Sequence, residues 1–363
     1  MLLMKNRLND LLARLSQTEM VYVPKIVDDV AKFAPYISEG PARFDLVNTT
    51  LPPKDLLFPQ TQKMYRYGRN DEGDMYIQPL DDSSPRMLFG IRPCDMRSIA
   101  CLDDVFLTMG YVDEFYQAQR DKLTTVAITC TQPGETCFCD SMEADPNEAP
   151  NADVLLRDTE DAYVVVPQTD KGTAEVEAWK DFLEDGERDV EPVSCQLQVP
   201  MRDGQVKVKL DQMFDDPIWD DVSRKCLNCG TCTFVCPTCY CFDICQENKM
   251  QEGVRFRCWD SCMFSEYTEM AGGHNPRPTK RERVRNRFMH KLNYFEDRYG
   301  KELCVGCGRC VQKCPVALDI TVLIDRIAAE PMPVAVEPEG VPTPAPTGPG
   351  ATDPTTKKEA SHV

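Results

Sequence analysis

Residues 226–237 read CLNCGTCTFVCP and residues 304–315 read CVGCGRCVQKCP. Both have the spacing C-x2-C-x2-C-x3-C-P. Three thiolates at two-residue intervals can wrap three corners of an iron-sulfur cube, while the fourth cysteine, turned away by the proline after it, ligates the other cube. The spacing therefore predicts crosswise pairing. Cys226, Cys229, Cys232 and Cys314 are assigned to one 4Fe-4S cluster, and Cys304, Cys307, Cys310 and Cys236 to the second. Gly230 and Gly308 stand where backbone N–H groups can come close to inorganic sulfide. A pair of zinc sites is the competing reading, but such sites usually use two separated C-x2-C knuckles rather than a triplet followed by C-P.

Outward from these motifs, 67 residues separate Cys236 from Cys304. That is too many for the compact ferredoxin in which two short halves interlock, so a helical ferredoxin arrangement is expected. The insert carries helical patterns, SEYTEMA and ERVRNRFMHKLNYFEDRYG, with Val284, Phe288, Leu292 and Phe295 on one face. These read as core positions. The chain holds 19 cysteines, and 13 of them fall between Cys226 and Cys314, which places a domain boundary near residue 215. Asp215-Asp216-Pro217 reads as the start of a short helix.

Upstream, SPRMLFGIRP, LTTVAITC and DAYVVVP read as short buried strands, with helical patterns around Met96 to Met109 and Thr173 to Leu183. Asp140 to Asp161 carries eight acidic residues among Pro and Ala, a loop composition. From Pro331 to Val363 there are eight prolines with Gly, Thr and Ala, a composition that buries too little apolar surface to offset the entropy of ordering. The expected class is α+β. An N-terminal α/β domain (1–214) precedes a mainly helical dicluster ferredoxin domain (215–330) and a flexible tail (331–363).

At 363 residues with 42% apolar and 28% charged residues, the chain has the composition of a soluble globular protein. No run approaches the roughly 18 apolar residues of a membrane span. Acids outnumber bases 59 to 41, and the net charge of -18 argues against nucleic acid as the main partner. The start, MLLMKNRLNDLLARL, is an amphipathic helix pattern without a signal peptide's apolar core, so a cytoplasmic location is expected. There the odd cysteine count speaks for metal or redox chemistry rather than disulfides.

The motifs CVGCGRC, CLNCGTCTFVCPTCYCFDI, CWDSCMF, AGGHNPR, IRPCDMRSI and CTQPGETCFCDSM are spread over roughly residues 50 to 325. Together they resemble the iron-sulfur subunit family typified by the sulfhydrogenase beta subunit, along with the corresponding iron-sulfur component of anaerobic sulfite reductase. The resemblance implies a soluble electron-transfer subunit of a hetero-oligomer. It would pass electrons between a flavoprotein partner that handles NAD(P)H and another redox subunit, such as a hydrogenase, a reductase or a heterodisulfide-reductase-like module.

The family also carries cysteines matching Cys94, Cys130, Cys137 and Cys139, which implies a third 4Fe-4S cluster. Read from the residues, CTQPGETCFC follows one strand-like run and RPCD another, so adjacent strand ends would bring the four together. Buried, redox-silent thiols are the alternative. Cys239, Cys241, Cys245, Cys258 and Cys262 form a further group. The family pattern matches Cys239, Cys241 and Cys262, and a fourth cluster would need Cys258, Cys245 or a non-cysteine ligand. Packing among Tyr240, Phe242, Trp259 and Phe264 is the plainer reading. Cys101 and Cys195 read as ordinary core thiols.

From Arg277 to Lys301 nine Lys or Arg residues face three acids. Between cluster motifs in an acidic chain, this reads as a solvated or cluster-facing helix rather than a nucleic-acid site. His274 reads as a turn residue. There is no G-x-G-x-x-G after a strand, no P-loop and no nucleophile elbow, hence no flavin or nicotinamide site of the chain's own. An electron-transfer subunit is the favoured function. The alternatives are an enzyme with an open-site cluster near Cys239 to Cys262, and a structural or nucleic-acid-binding iron-sulfur protein.

Overall fold

The computed structural model describes residues 1–81 and 83–332. Its strands are β1 (Leu2–Met4), β2 (Met20–Val27), β3 (Val30–Pro35), β4 (Thr61–Arg69), β5 (Met75–Pro79) and β6 (Arg86–Ile91). They continue with β7 (Leu123–Ile128), β8 (Val154–Asp158), β9 (Ala162–Pro167), β10 (Leu183–Glu184), β11 (Phe242–Lys249) and β12 (Glu252–Trp259).

One sheet has the order β10-β1-β9-β8-β7-β6-β2-β3. Its centre is parallel, β2 with β6, β6 with β7 and β7 with β8. β6 and β7 are buried at every position, as strands covered on both faces must be. Alternation divides their side chains. Met87, Phe89, Val126 and Ile128 join Trp179 and the helix Leu8–Leu15 on one side. Leu88, Ile91 and Ala127 join Met96, Ile99 and Leu102 of the helix Pro93–Asp103 on the other. The three strand-like runs read from the sequence thus fall on β6, β7 and β9.

The acidic stretch expected to be loop throughout also contains β8. Val154, Leu155 and Leu156 are buried beside β7, because sheet pairing decides the conformation of a three-residue apolar run flanked by acids.

Beyond residue 215, Asp216 Oδ1 accepts the Ile218 N–H at 2.7 Å and starts the helix Ile218–Arg224. Val284, Phe288 and Leu292 pack with Trp219, Leu210 and Ile324 in one core, and Phe295 with Leu303 and Val305 in another. The region is not only helical. β11 and β12 form a hairpin that pairs with β4, giving an antiparallel sheet β11-β12-β4-β5 shared by segments on either side of residue 215. FDICQENK alternates weakly and lies at the sheet edge with most positions exposed or half-buried, so hydrophobic periodicity is nearly silent there. Met1–Pro331 form one unit, and the Pro-rich tail lies almost wholly outside the described residues.

Candidate metal centre

The two cysteine motifs fold as an internal repeat. Gly230 (φ +74°, ψ -10°) and Gly308 (φ +73°, ψ -11°) adopt the same left-handed conformation, each opening a short helix, Thr231–Phe234 and Arg309–Lys313. Neither position has room for a side chain. A Cβ at Gly230 would strike the Phe264 ring, and one at Gly308 would strike Thr136.

Cys226, Cys229, Cys232 and Cys314 line a single cavity with Phe288 and Arg287. The crosswise partner Cys314 is therefore brought to the first triplet by the fold. Backbone donors point at these sulfurs: the Asn228 N–H to Cys226 Sγ at 3.3 Å, and the Leu318 N–H to Cys314 Sγ at 3.2 Å. Such bonds favour a charged, ligating sulfur. Cys229 is exposed, and hydrogen bonding to Thr231 holds its thiol below the ordinary range.

The second set is deeper. Cys304 feels the charges of Cys310, Cys236 and Cys307, so these four thiols are mutual neighbours. Burial pushes Cys307 up to about 12 and Cys304 higher still. Thiols so disfavoured as free anions become thiolates through a metal that takes the proton's place. No three His, Cys, Asp or Glu side chains among the described residues converge on a point that would hold a single metal ion. The donor set and the glycine cradles fit two cubes.

The N-terminal thiols meet where the sheet predicts. β6 and β7 are adjacent and parallel, so the chain leaves both at the same edge, into Cys94 at the start of the helix Pro93–Asp103 and into the loop of Cys130, Cys137 and Cys139. Cys94 lies within electrostatic reach of Cys130 and of Cys307, and Cys139 within reach of Cys94 and Cys130. Burial raises Cys130 to about 11. Arg92 ties the site down, donating to the carbonyls of Thr129, Phe44 and Leu46 at 2.7–2.8 Å.

A fifth thiol joins these four, one that reads from the sequence as an ordinary core residue. Cys195 Sγ lies 3.4 Å from Cys139 Sγ, and its N–H donates to the Asp140 carboxylate at 2.8 Å. Isolated in EPVSCQ, it has no spacing signal, and long-range chain return alone brings it in. Cys101 is fully buried.

The remaining cysteines divide. The neighbouring Cys262 thiol lowers that of Cys241 to about 6, with Tyr267 acting in the same direction. Cys239 contacts Cys236. Cys258 sits on β12 with its Sγ 3.8 Å from Cys245 Sγ on β11, a cross-hairpin pair separate from these contacts. His274 is an exposed turn residue whose carbonyl accepts the Met270 N–H.

A repeated four-thiol motif folded around two glycine cradles defines a dicluster iron-sulfur protein. The profile of a family described as a 4Fe-4S dicluster domain matches residues 225–318. Over 327 residues the chain is 31% identical to sulfhydrogenase 2 subunit beta of Pyrococcus furiosus, a match covering 86% of this chain and 94% of that one. The chain belongs to the iron-sulfur subunit family of the sulfhydrogenase beta subunit. It is an iron-sulfur electron-transfer subunit with at least two clusters. No solved structure matches it. Among the described residues, no helix is long and apolar enough to cross a membrane.

Proposed function

We propose that three thiolate sets form one linear relay, in the order Cys94/Cys130/Cys137/Cys139, then Cys304/Cys307/Cys310/Cys236, then Cys226/Cys229/Cys232/Cys314. When bound, 4Fe-4S cubes supply one-electron carriers at these places. The observation that carries the reading is the direct packing of one cysteine loop on another. The Phe138 N–H donates to the Gly306 carbonyl at 2.9 Å, and a Cβ at Gly306 would lie 2.5 Å from Cys139 Cα. On the far side of the middle set, Cys310 and Cys232 are electrostatic neighbours.

Both ends of this order reach the surface. Cys229 is exposed at one end, and at the other Cys130 lines a cavity of about 770 Å³ with Phe44, Tyr163 and Arg92. A carrier with an exposed thiol at one end and a cavity-lining thiol at the other suits a subunit standing between two redox partners. In keeping with the relative's name, that of a sulfhydrogenase subunit, the chain is a subunit of a hetero-oligomeric oxidoreductase, and a cytoplasmic setting suits its thiol-rich sequence. One partner is a flavoprotein that handles NAD(P)H, and the other is a hydrogenase, a reductase or a heterodisulfide-reductase-like module.

The acidic net charge and the inward-facing basic helix both speak against nucleic acid. A fourth site would take Cys239, Cys241 and Cys262 with Cys258, Cys245 or a non-cysteine ligand, and Tyr267, an electrostatic neighbour of Cys241, is a candidate of the last kind. Anaerobic purification of the native complex tests the assignment. Co-purification with a flavoprotein and with a second redox subunit supports it, and a chain isolated alone, unable to accept electrons from any flavoprotein, contradicts it.

A further inference from the structure

The helix Lys280–Met289 and the turn after it place Arg283, Arg287 and Lys291 inward at four-residue intervals, all buried. Outward-facing Arg281 and Arg285 instead pair with Asp220 and Asp215. Among the described residues, Arg287 and Lys291 meet no carboxylate. Lys291 Nζ donates to Thr238 Oγ1 at 2.7 Å, Arg287 stacks 4.7 Å from the Phe288 ring centre, and Arg287 Nε has no hydrogen-bond partner.

A buried cation without a counter-charge is strongly disfavoured, so something anionic must face these two. What faces them is sulfur. Arg287 lines the cavity of Cys226, Cys229, Cys232 and Cys314, and the charge of Cys310 in the middle set acts on it as well. Burial works against the charge of Arg287, yet Cys232, Cys310, Cys239 and Cys236 hold it above its ordinary value. Lys291 reaches the middle set through Thr238, whose Oγ1 lies 3.3 Å from Cys236 Sγ, while its own carbonyl accepts the N–H of Leu303, the residue before Cys304, and its charge is likewise favoured despite burial.

We propose that Arg287 and Lys291 set the reduction potentials of the dicluster, Arg287 acting on both cubes and Lys291 on the Cys304 cube alone. The inference rests on the two-cube reading above. A 4Fe-4S cube held by these thiolates would gain one negative charge on one-electron reduction, with no proton transferred. A fixed buried cation nearby favours that state, most strongly at short range and low dielectric. Neither residue ligates iron; both act through the field at the thiolates.

The test is an EPR-monitored redox titration with dithionite of the intact, anaerobically purified chain and its R287Q, R287K and K291Q variants. Iron content is expected to stay unchanged. R287Q should make reduction of both cubes about tenfold less favourable, 59 mV for a one-electron couple. K291Q should shift one signal only, the one that Cys307→Ser removes, and R287K should stay near the parent. Fully loaded R287Q and K291Q proteins with unmoved potentials would overturn the proposal, as would a K291Q shift equal on both cubes. If R287Q loses its iron while R287K keeps it, the selectivity of the K291Q shift decides. Absence of any iron-sulfur signal in the parent chain would strike instead at the two-cube reading.

Discussion

The guanidinium of Arg309 and the carboxylate of Asp95 form a bidentate ion pair, at 2.6 and 2.7 Å, with both side chains 1% exposed. Asp95 follows Cys94, and Arg309 stands between Cys307 and Cys310, so the pair joins the N-terminal thiols to the middle set. The same arginine donates to the Thr49 carbonyl at 2.6 Å, and Asn48 donates to the Cys307 carbonyl at 3.0 Å. Through Arg92, which donates to the Phe44 and Leu46 carbonyls, the loop around residue 48 is also tied to the N-terminal site.

Breaking this pair from one side leaves a buried charge without its partner, a loss of about 3–5 kcal/mol. Arg309→Met and Asp95→Asn are each expected to destabilise the chain by that order. Denaturant unfolding of the reconstituted protein under anaerobic conditions measures it. The double variant is expected to recover part of the loss, and a cost below about 1 kcal/mol for either single variant would show that the pair is not holding the sites together.

Gly306 has φ +62° and no space for a side chain against Phe138 and Cys139. Gly306→Ala is expected to separate the two cysteine loops. The measurable outcome is loss of magnetic coupling between neighbouring clusters in the reduced EPR spectrum. An unchanged coupled spectrum would contradict the packing argued for the relay.

In the proposed relay, Cys229→Ser and Cys307→Ser would each remove a corner thiolate from a different cube. Each is expected to alter or abolish one set of EPR signals, to cost up to about four irons, and to block electron transfer through the chain. Since Cys229 is exposed and Cys307 buried, the Cys307 variant should also lose stability while the Cys229 variant largely keeps it. Iron analysis with thermal unfolding of both separates the two roles.

Ligation deprotonates thiols that the fold holds as neutral, Cys130 near 11 and Cys307 near 12. Their raised values mean that each gives up a proton when iron binds, so binding strengthens with rising pH throughout the range below those values. Chelator-driven iron loss from the intact chain is expected to slow steadily from about pH 6 to about pH 9. A rate independent of pH would contradict this linkage.

Much of the site was legible in the sequence because cluster ligation demands fixed local spacings. C-x2-C-x2-C-x3-C-P placed eight thiols and their crosswise partners, and the exits from β6 and β7 were readable as apolar runs that end in cysteine. Cys195 was not readable, since nothing local distinguishes a thiol that arrives through long-range folding. The hairpin of β11 and β12 escaped for a related reason: its strands pair with β4, about 190 residues earlier in the chain, and bury little surface of their own. The basic run was legible only as a solvated or cluster-facing helix, and which of its residues turn inward followed from the helix register that buries Arg283, Arg287 and Lys291.

The central claim, a relay that begins at the N-terminal thiols, is tested most directly by iron and acid-labile sulfide counts on the intact chain, purified anaerobically, beside its Cys137→Ser variant. The account predicts about 12 irons in the parent, or about 16 if the Cys239 group is also filled, and about four fewer in the variant. About 8 irons in both proteins would mean that Cys94, Cys130, Cys137 and Cys139 are packing thiols, and would contradict it.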